Sequence, residues 1–436
     1  MSTPRVGWII CILVLTDCLA VKPQAAGFPQ ASGAGAAEPA ADKSTQTDSP
    51  TRTKLKLHPE QPEPVDDGEI TASVARGVAF LLRDPNADGS WGSPQKTKEL
   101  NIMAGVGSHH AFRTAVTALC VSALIEVAGP RNKLLDLTAV RLSIQRGEDF
   151  LFRELPRVRR DQPILIYNIW SHAYGIQALV RMHGRVPADK ARQTRIEELI
   201  RGQYDRLVRY ESTEGGWGYY DFGAGTQRPN SDSCSFVNAT VLVAFHEAKQ
   251  IGVQPPVKLV ERGVEGIIAQ RNPDFSYLYG FYLRHRPMME INRPGGSLGR
   301  SQACNLALRL WDDRKVTDAV LTEWLDRLIV RNGWLDMGRK RPIPHESHVM
   351  VAGYFYYYGH YYATLCVHQL PVSQRPFYQD HLAHILLRHQ DRDGSWWDYL
   401  LYNYHQQYGT AFALLSLEHC RKPVVSRSQP LDHIGH

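Results

Sequence analysis

The chain has 436 residues, 43% hydrophobic and 22% charged, with 50 basic against 44 acidic side chains and a formal net charge of +6. That composition belongs to a folded chain with a substantial core and excludes disorder throughout. Lys and Arg are scattered, without a basic helix or a nucleic-acid motif, so the excess charge argues for solubility and against nucleic-acid binding.

In chain order, Arg5, the apolar run over residues 6–15 and Cys18-Leu19-Ala20 have the three parts of an export signal, predicted over residues 1–20. A secreted or periplasmic protein is expected, with lipid anchoring at Cys18 ranked second because Asp17 suits that signal poorly. No transmembrane helix is expected once the signal is removed. Residues 21–68, rich in Ala, Gly, Pro, Ser and Thr, lack the apolar surface to offset ordering entropy and read as a disordered linker. A helical domain follows over 69–420, then a tail over 421–436. The cysteines beyond the signal, Cys120, Cys234, Cys304, Cys366 and Cys420, are odd in number and irregularly spaced, which gives no disulfide framework.

Within 69–420 a Gly-Trp turn recurs at Asp88-Gly89-Ser90-Trp91, Glu214-Gly215-Gly216-Trp217, Asn332-Gly333-Trp334 and Asp393-Gly394-Ser395-Trp396. The intervals are 126, 117 and 62 residues, so each of the first two hides a degenerate copy, and a period of about sixty fits six helical hairpins. Apolar, small-residue helices beginning near Thr114, Tyr174, Asn238, Asn305, Tyr362 and Tyr408 are expected to be buried, with amphipathic partners outside them. The first and last of these are as apolar as the rest. An open array needs polar caps, so an all-α, closed (α/α)6 toroid is predicted.

The Gly-Trp turns and the pattern 408–417 resemble the repeat of terpenoid cyclases and protein prenyltransferase β subunits, with squalene cyclase-like Gly-Trp repeats. That resemblance implies a toroid with a central cavity and tryptophans that staple adjacent hairpins. The Asp-x-Asp-Asp acid of class II cyclases is missing. Asp232-Ser233-Cys234 and His405 resemble parts of a prenyltransferase zinc set, although His405 lies 171 residues from Cys234 instead of one repeat away. Zinc is therefore possible there but not favoured.

Aligning the inner helices brings polar residues to one mouth of the ring. His172, His360, His405 and Asp232 are the catalytic candidates, and His110, Tyr357, Tyr361 and Arg300 the ligand-binding ones. Asp232, Cys234 and His405 are the metal candidates. Each imidazole has an alternative role in satisfying a loop carbonyl or a helix end. Arg284, Arg286, Arg293, Arg300, Arg339, Lys340 and Arg341 suggest a basic rim, and 354–358 an aromatic lining. The segment 84–89 opens like a calcium loop but reads better as the repeat's turn, and His345-Glu346-Ser347-His348 reads as a rim loop. The leading expectation is a cavity that binds or transforms an unidentified bulky ligand, small or polymeric. The alternatives are a carbohydrate-processing toroid (polysaccharide lyase or hydrolase-like), a non-catalytic scaffold and a zinc-dependent prenyltransferase-like enzyme.

Overall fold

The computed structural model describes residues 57–97, 104–221, 223, 228–229, 233–341 and 343–422. The expected export signal and most of the expected linker and tail lie outside the described residues. Helices are numbered α1 (Asp67–Arg83), α2 (Val106–Val127), α3 (Leu137–Glu154), α4 (Asn168–Arg185), α5 (Lys190–Arg209), α6 (Ser235–Gln250), α7 (Val257–Ile268), α8 (Leu298–Leu310), α9 (Asp318–Val330), the short α10 (Asn332–Asp336), α11 (Phe355–His368), α12 (Arg375–Arg388) and α13 (Tyr404–Cys420).

Two kinds of helix alternate, for a reason written in the side chains. Helices α2, α4, α6, α8, α11 and α13 are apolar on most faces, and nearly every residue in their middle turns is buried. Helices α1, α3, α5, α7, α9 and α12 each bury a narrower set. Several of these outer helices start on a capping side chain: Asp66, Asp136, Asp189 and Thr317 each accept from a backbone N–H of the first turn. The six apolar helices pack in chain order and the last, α13, packs against the first, α2, which closes the ring. Each outer helix lies on the inner helix before it, so that α3 covers α2 and α1 covers α13. This is the predicted (α/α)6 toroid. Helix α2 has the length and apolarity of a membrane span, but most of its surface is covered by neighbours in the ring.

The turns explain how hairpins join. Trp91, Trp217 and Trp396 are fully buried, and each indole N–H donates to the carbonyl ten residues earlier, of Leu81, Leu207 and Leu386. Each ring faces a glycine of the next outer helix: Trp91 against Gly147, Trp217 against Gly263, Trp396 against Gly77. The turn glycines Gly89, Gly215 and Gly394 have φ near +90° and sit against the carbonyls of Arg146, Arg262 and Arg76, where a Cβ would not fit. A hidden copy appears at Asp274-Phe275-Ser276-Tyr277. Asp274 accepts from the Ser276 N–H and hydroxyl as Asp88 does from Ser90, and Phe275 carries the positive φ. The same bonds identify the calcium-like string as a turn. Asn332-Gly333-Trp334, expected as a copy, is not one: Trp334 is 38% exposed, Gly333 has no positive φ, and the residues form α10.

The linker expected through residue 68 ends sooner. Residues 57–66 lie on the toroid, where His381 and His384 bond the carbonyls of Glu60 and Glu63, Asp380 accepts from the Val65 N–H, and His58 stacks on Phe377.

Side chains from four inner helices meet inside the ring. Tyr358 and Tyr362 of α11 bond Thr240 of α6 at 3.0 and 3.2 Å, and Tyr174 of α4 meets Phe412 of α13 edge to face at 5.8 Å. All are buried, so the middle of the ring is filled.

Candidate functional site

The inner helices present their N-termini to one mouth, where the connections from the outer helices arrive. A belt of rings follows it: Tyr404, Phe112, Tyr167, Tyr219, Phe236, Tyr279, Phe355, Tyr354, Tyr399, His405 and Tyr408, each neighbouring pair 4.8 to 6.2 Å apart between centroids. Phe112, Trp170, Tyr219, Tyr220, Tyr282, Tyr354, Tyr408 and His405 keep part of their surface exposed. Partly exposed aromatic faces suit flat apolar or sugar-like rings.

Asp398 sits at this belt and is fully buried. Burial pushes its carboxyl up to about 7, against the opposing hydrogen bonds from the Tyr357 N–H and the Tyr408 hydroxyl. Tyr408 contacts both the Tyr354 carbonyl and Asp398 Oδ2, the latter at 3.0 Å. The one phenol proton is shared between these two acceptors. Asp398 Oδ1 has no hydrogen-bond partner among the described residues. A carboxyl that titrates near pH 7 can give or take a proton there.

On the other side of Tyr354 lies a chain of phenols. Tyr219 contacts Tyr279 through their hydroxyls, Tyr279 bonds Tyr354 at 2.9 Å, and Tyr354 bonds His345 Nε2 at 3.2 Å. Beneath Tyr279 lies Arg300, its guanidinium carbon 5.7 Å from the ring centroid.

Of the catalytic candidates, only His405 is shown at the mouth, edge-on to Tyr399 and Tyr408, with its basicity pushed down to about 3 by burial. His172 and His360 are corrections. Each turns away from the axis: His172 bonds Gln203 of α5 at 2.8 Å, and His360 bonds the Tyr356 carbonyl and Asn332. Burial lowers both to about 4. Their shared offset set the side of the helix, but that side faces the outer layer. Asp232 lies outside the described residues.

Among the ligand-binding candidates, His110 is half-buried beside Glu154 at 3.3 Å. Tyr357 is buried with its hydroxyl toward the His389 carbonyl, and Tyr361 packs on Phe412 inside the ring, so neither lines the mouth. Arg300 is 1% exposed and donates to the carbonyls of Tyr277, Gly296 and Ile291, which makes it a buried cation under the floor and not a rim contact. The basic rim is largely paired: Arg293 with Glu290, Arg339 with Asp336 and Lys340 with Asp391. For the metal candidates, Cys234 precedes α6 and His405 starts α13, third and sixth around the ring and thus on opposite sides. Among the described residues no three His, Cys, Asp or Glu side chains gather as a ligand set.

Asp398 was missed, yet a signal for it exists. Tyr219, Tyr279 and Asp398 all stand two residues after the ring that fills the turn, Trp217, Tyr277 and Trp396. Aligning the repeats on that ring picks out a mouth-facing position.

No family model matches the chain, and no curated protein does. Among solved structures, an inactive variant of the alpha-1,6-mannanase GH76A of Salegentibacter sp. HEL1_6, in complex with alpha-1,6-mannotriose, is similar with a TM-score of 0.48 and 11% identity over 81% of this chain and 99% of that one. A possible member of the GH105 family from Klebsiella pneumoniae subsp. pneumoniae MGH 78578 gives a TM-score of 0.47 and 11% identity over 83% and 95%. Likeness at this level assigns no activity. The expected kinship with terpenoid cyclases and prenyltransferases is corrected: no family model of that repeat, or of any other, matches the chain.

Proposed function

We propose that the protein is a carbohydrate-processing toroid that binds a glycan across its aromatic mouth and acts on it with Asp398 as the acid. The observation that carries this reading is the position of Tyr354. Its carbonyl accepts from Tyr408, the partner of Asp398, and its hydroxyl lies between His345 and Tyr279, the ring that buried Arg300 underlies. A tyrosine set between an acid and a cation, at the edge of exposed rings, matches what glycan cleavage asks of a site: stacking for the sugar, a proton for the leaving oxygen and a phenol to assist. Asp221, also fully buried, is held by Arg160 at 2.6 Å, whereas Asp398 has no basic side chain bonded to it, so the two carboxyls differ in their partners.

The test is incubation of purified protein with neutral, acidic and basic polysaccharides. Hydrolysis is read by new reducing ends and elimination by the ultraviolet absorbance of unsaturated ends. Release that Asp398→Asn abolishes is expected. The filled ring centre favours a second reading, a binding scaffold, which binding without release by wild type would establish in its place.

A further inference from the structure

His345 fixes the direction of every proton in the phenol chain. Its Nδ1 lies 2.7 Å from the Met350 carbonyl, which only accepts, so Nδ1 carries hydrogen. Burial first, and then the nearby Arg300 cation, hold the ring neutral, pushing it down to about 4. Neutral imidazole with hydrogen on Nδ1 has a bare lone pair on Nε2. Tyr354 must donate to it, Tyr279 must then donate to Tyr354, and Tyr219 must donate to Tyr279. Tyr219, itself partly exposed, is the phenol end of this chain, stacked on Tyr167 at 5.8 Å. Its own proton is spent inward, so its oxygen has only lone pairs left for a further partner.

We propose that Tyr219 is a specificity-determining residue that can only accept a hydrogen bond from a ligand, with His345 as the positioning residue that enforces this through Tyr279 and Tyr354. The inference rests on the carbohydrate reading and deepens it: at this point the site takes a sugar O–H or an amine N–H, and rejects a carbonyl, an ether or a carboxylate. A donor that meets Tyr219 completes a run of bonds all pointing toward Met350, whereas an acceptor there meets a second lone pair.

Three measurements on the purified protein decide it. In nitrogen-15 histidine spectra at neutral pH, His345 is expected neutral with hydrogen on Nδ1, and a ring protonated on Nε2 overturns the proposal. With labelled tyrosine, trifluoroethanol, a strong donor, is expected to shift the Tyr219 resonances several-fold more than acetone, which only accepts. An equal or reversed response overturns the proposal. His345→Phe should erase the preference, and Tyr354→Phe breaks the same chain should the first variant not fold. Methyl glucoside titrated in parallel separates the two levels: its failure to bind counts against the carbohydrate reading, while the two solvents still decide whether Tyr219 accepts.

Discussion

The indole of Trp396 lies so close to Gly77 that a Cβ added there would stand 2.7 Å from its ring. Trp396 belongs to the last hairpin and Gly77 to the first outer helix, so this contact is one of those that turn a row of hairpins into a ring. Gly77→Ala is expected to destabilise the fold by about 1–3 kcal/mol through overpacking. Gly184→Ala in α4, where nothing lies within 4 Å, should be neutral or stabilising by up to about 1 kcal/mol. Urea unfolding of both variants checks the contrast, and equal effects would deny the contact its role.

Asp398 should make stability fall as pH rises. Its folded value of about 7 lies above the ordinary 3.8, so the folded state binds the proton more tightly. The stabilisation is complete below the ordinary value and disappears as pH rises through about 7. A shift of roughly three units corresponds to at most about 4 kcal/mol. Asp398→Asn, neutral at every pH, should therefore gain on wild type between pH 4 and 8, measured by melting temperature. A constant difference across that range would show that the carboxyl is not held neutral.

The buried histidines act in the opposite sense. His172 and His360 have folded values of about 4, below the ordinary 6.5, so the unfolded chain binds their protons more readily. Their contribution is present above 6.5 and is lost as pH falls toward 4. His172→Ala leaves Gln203 Oε1 without its partner and is expected to cost about 1–3 kcal/mol at neutral pH. The same variant should lose less than wild type on acidification, and it should leave glycan binding unchanged. A binding defect in a variant that melts normally would return His172 to the site.

Stacking and proton transfer at the mouth are separable. Trp170→Ala, which removes a partly exposed ring between Tyr174 and Phe236, should weaken glycan binding by about 0.5–1.5 kcal/mol with turnover at saturation kept. Tyr408→Phe removes the hydroxyl shared by Asp398 and the Tyr354 carbonyl, and turnover should fall by roughly 10²–10⁴ with affinity little changed. Rate and affinity measured together distinguish the two, and a pure affinity loss in Tyr408→Phe would count against its part in the chemistry.

The amino-acid sequence by itself determined the ring. Apolarity on most faces leaves the inner helices no stable place but a shared core, and each turn of the form Gly-x-Trp carries both the left-handed backbone and the indole that reaches the next hairpin. Where local chemistry was ambiguous, the pattern misled: Gly333-Trp334 has the letters of the turn but helical backbone, and Tyr277 fills the same place without the letters, behind Phe275 with its positive φ. The site was decided only in three dimensions. A histidine two residues before an aligned position can face the axis or the outer layer, and the difference is a rotation that offsets along the chain do not record. Asp398 is an acid near neutral pH because burial removes the water that would solvate its charge, and burial is a property of the assembled ring. The one-way order of the phenols depends likewise on a carbonyl, that of Met350, meeting an imidazole across a loop. Repetition along the chain is enough to set a shape, whereas proton positions follow from which groups the closed shape brings within 3 Å of one another.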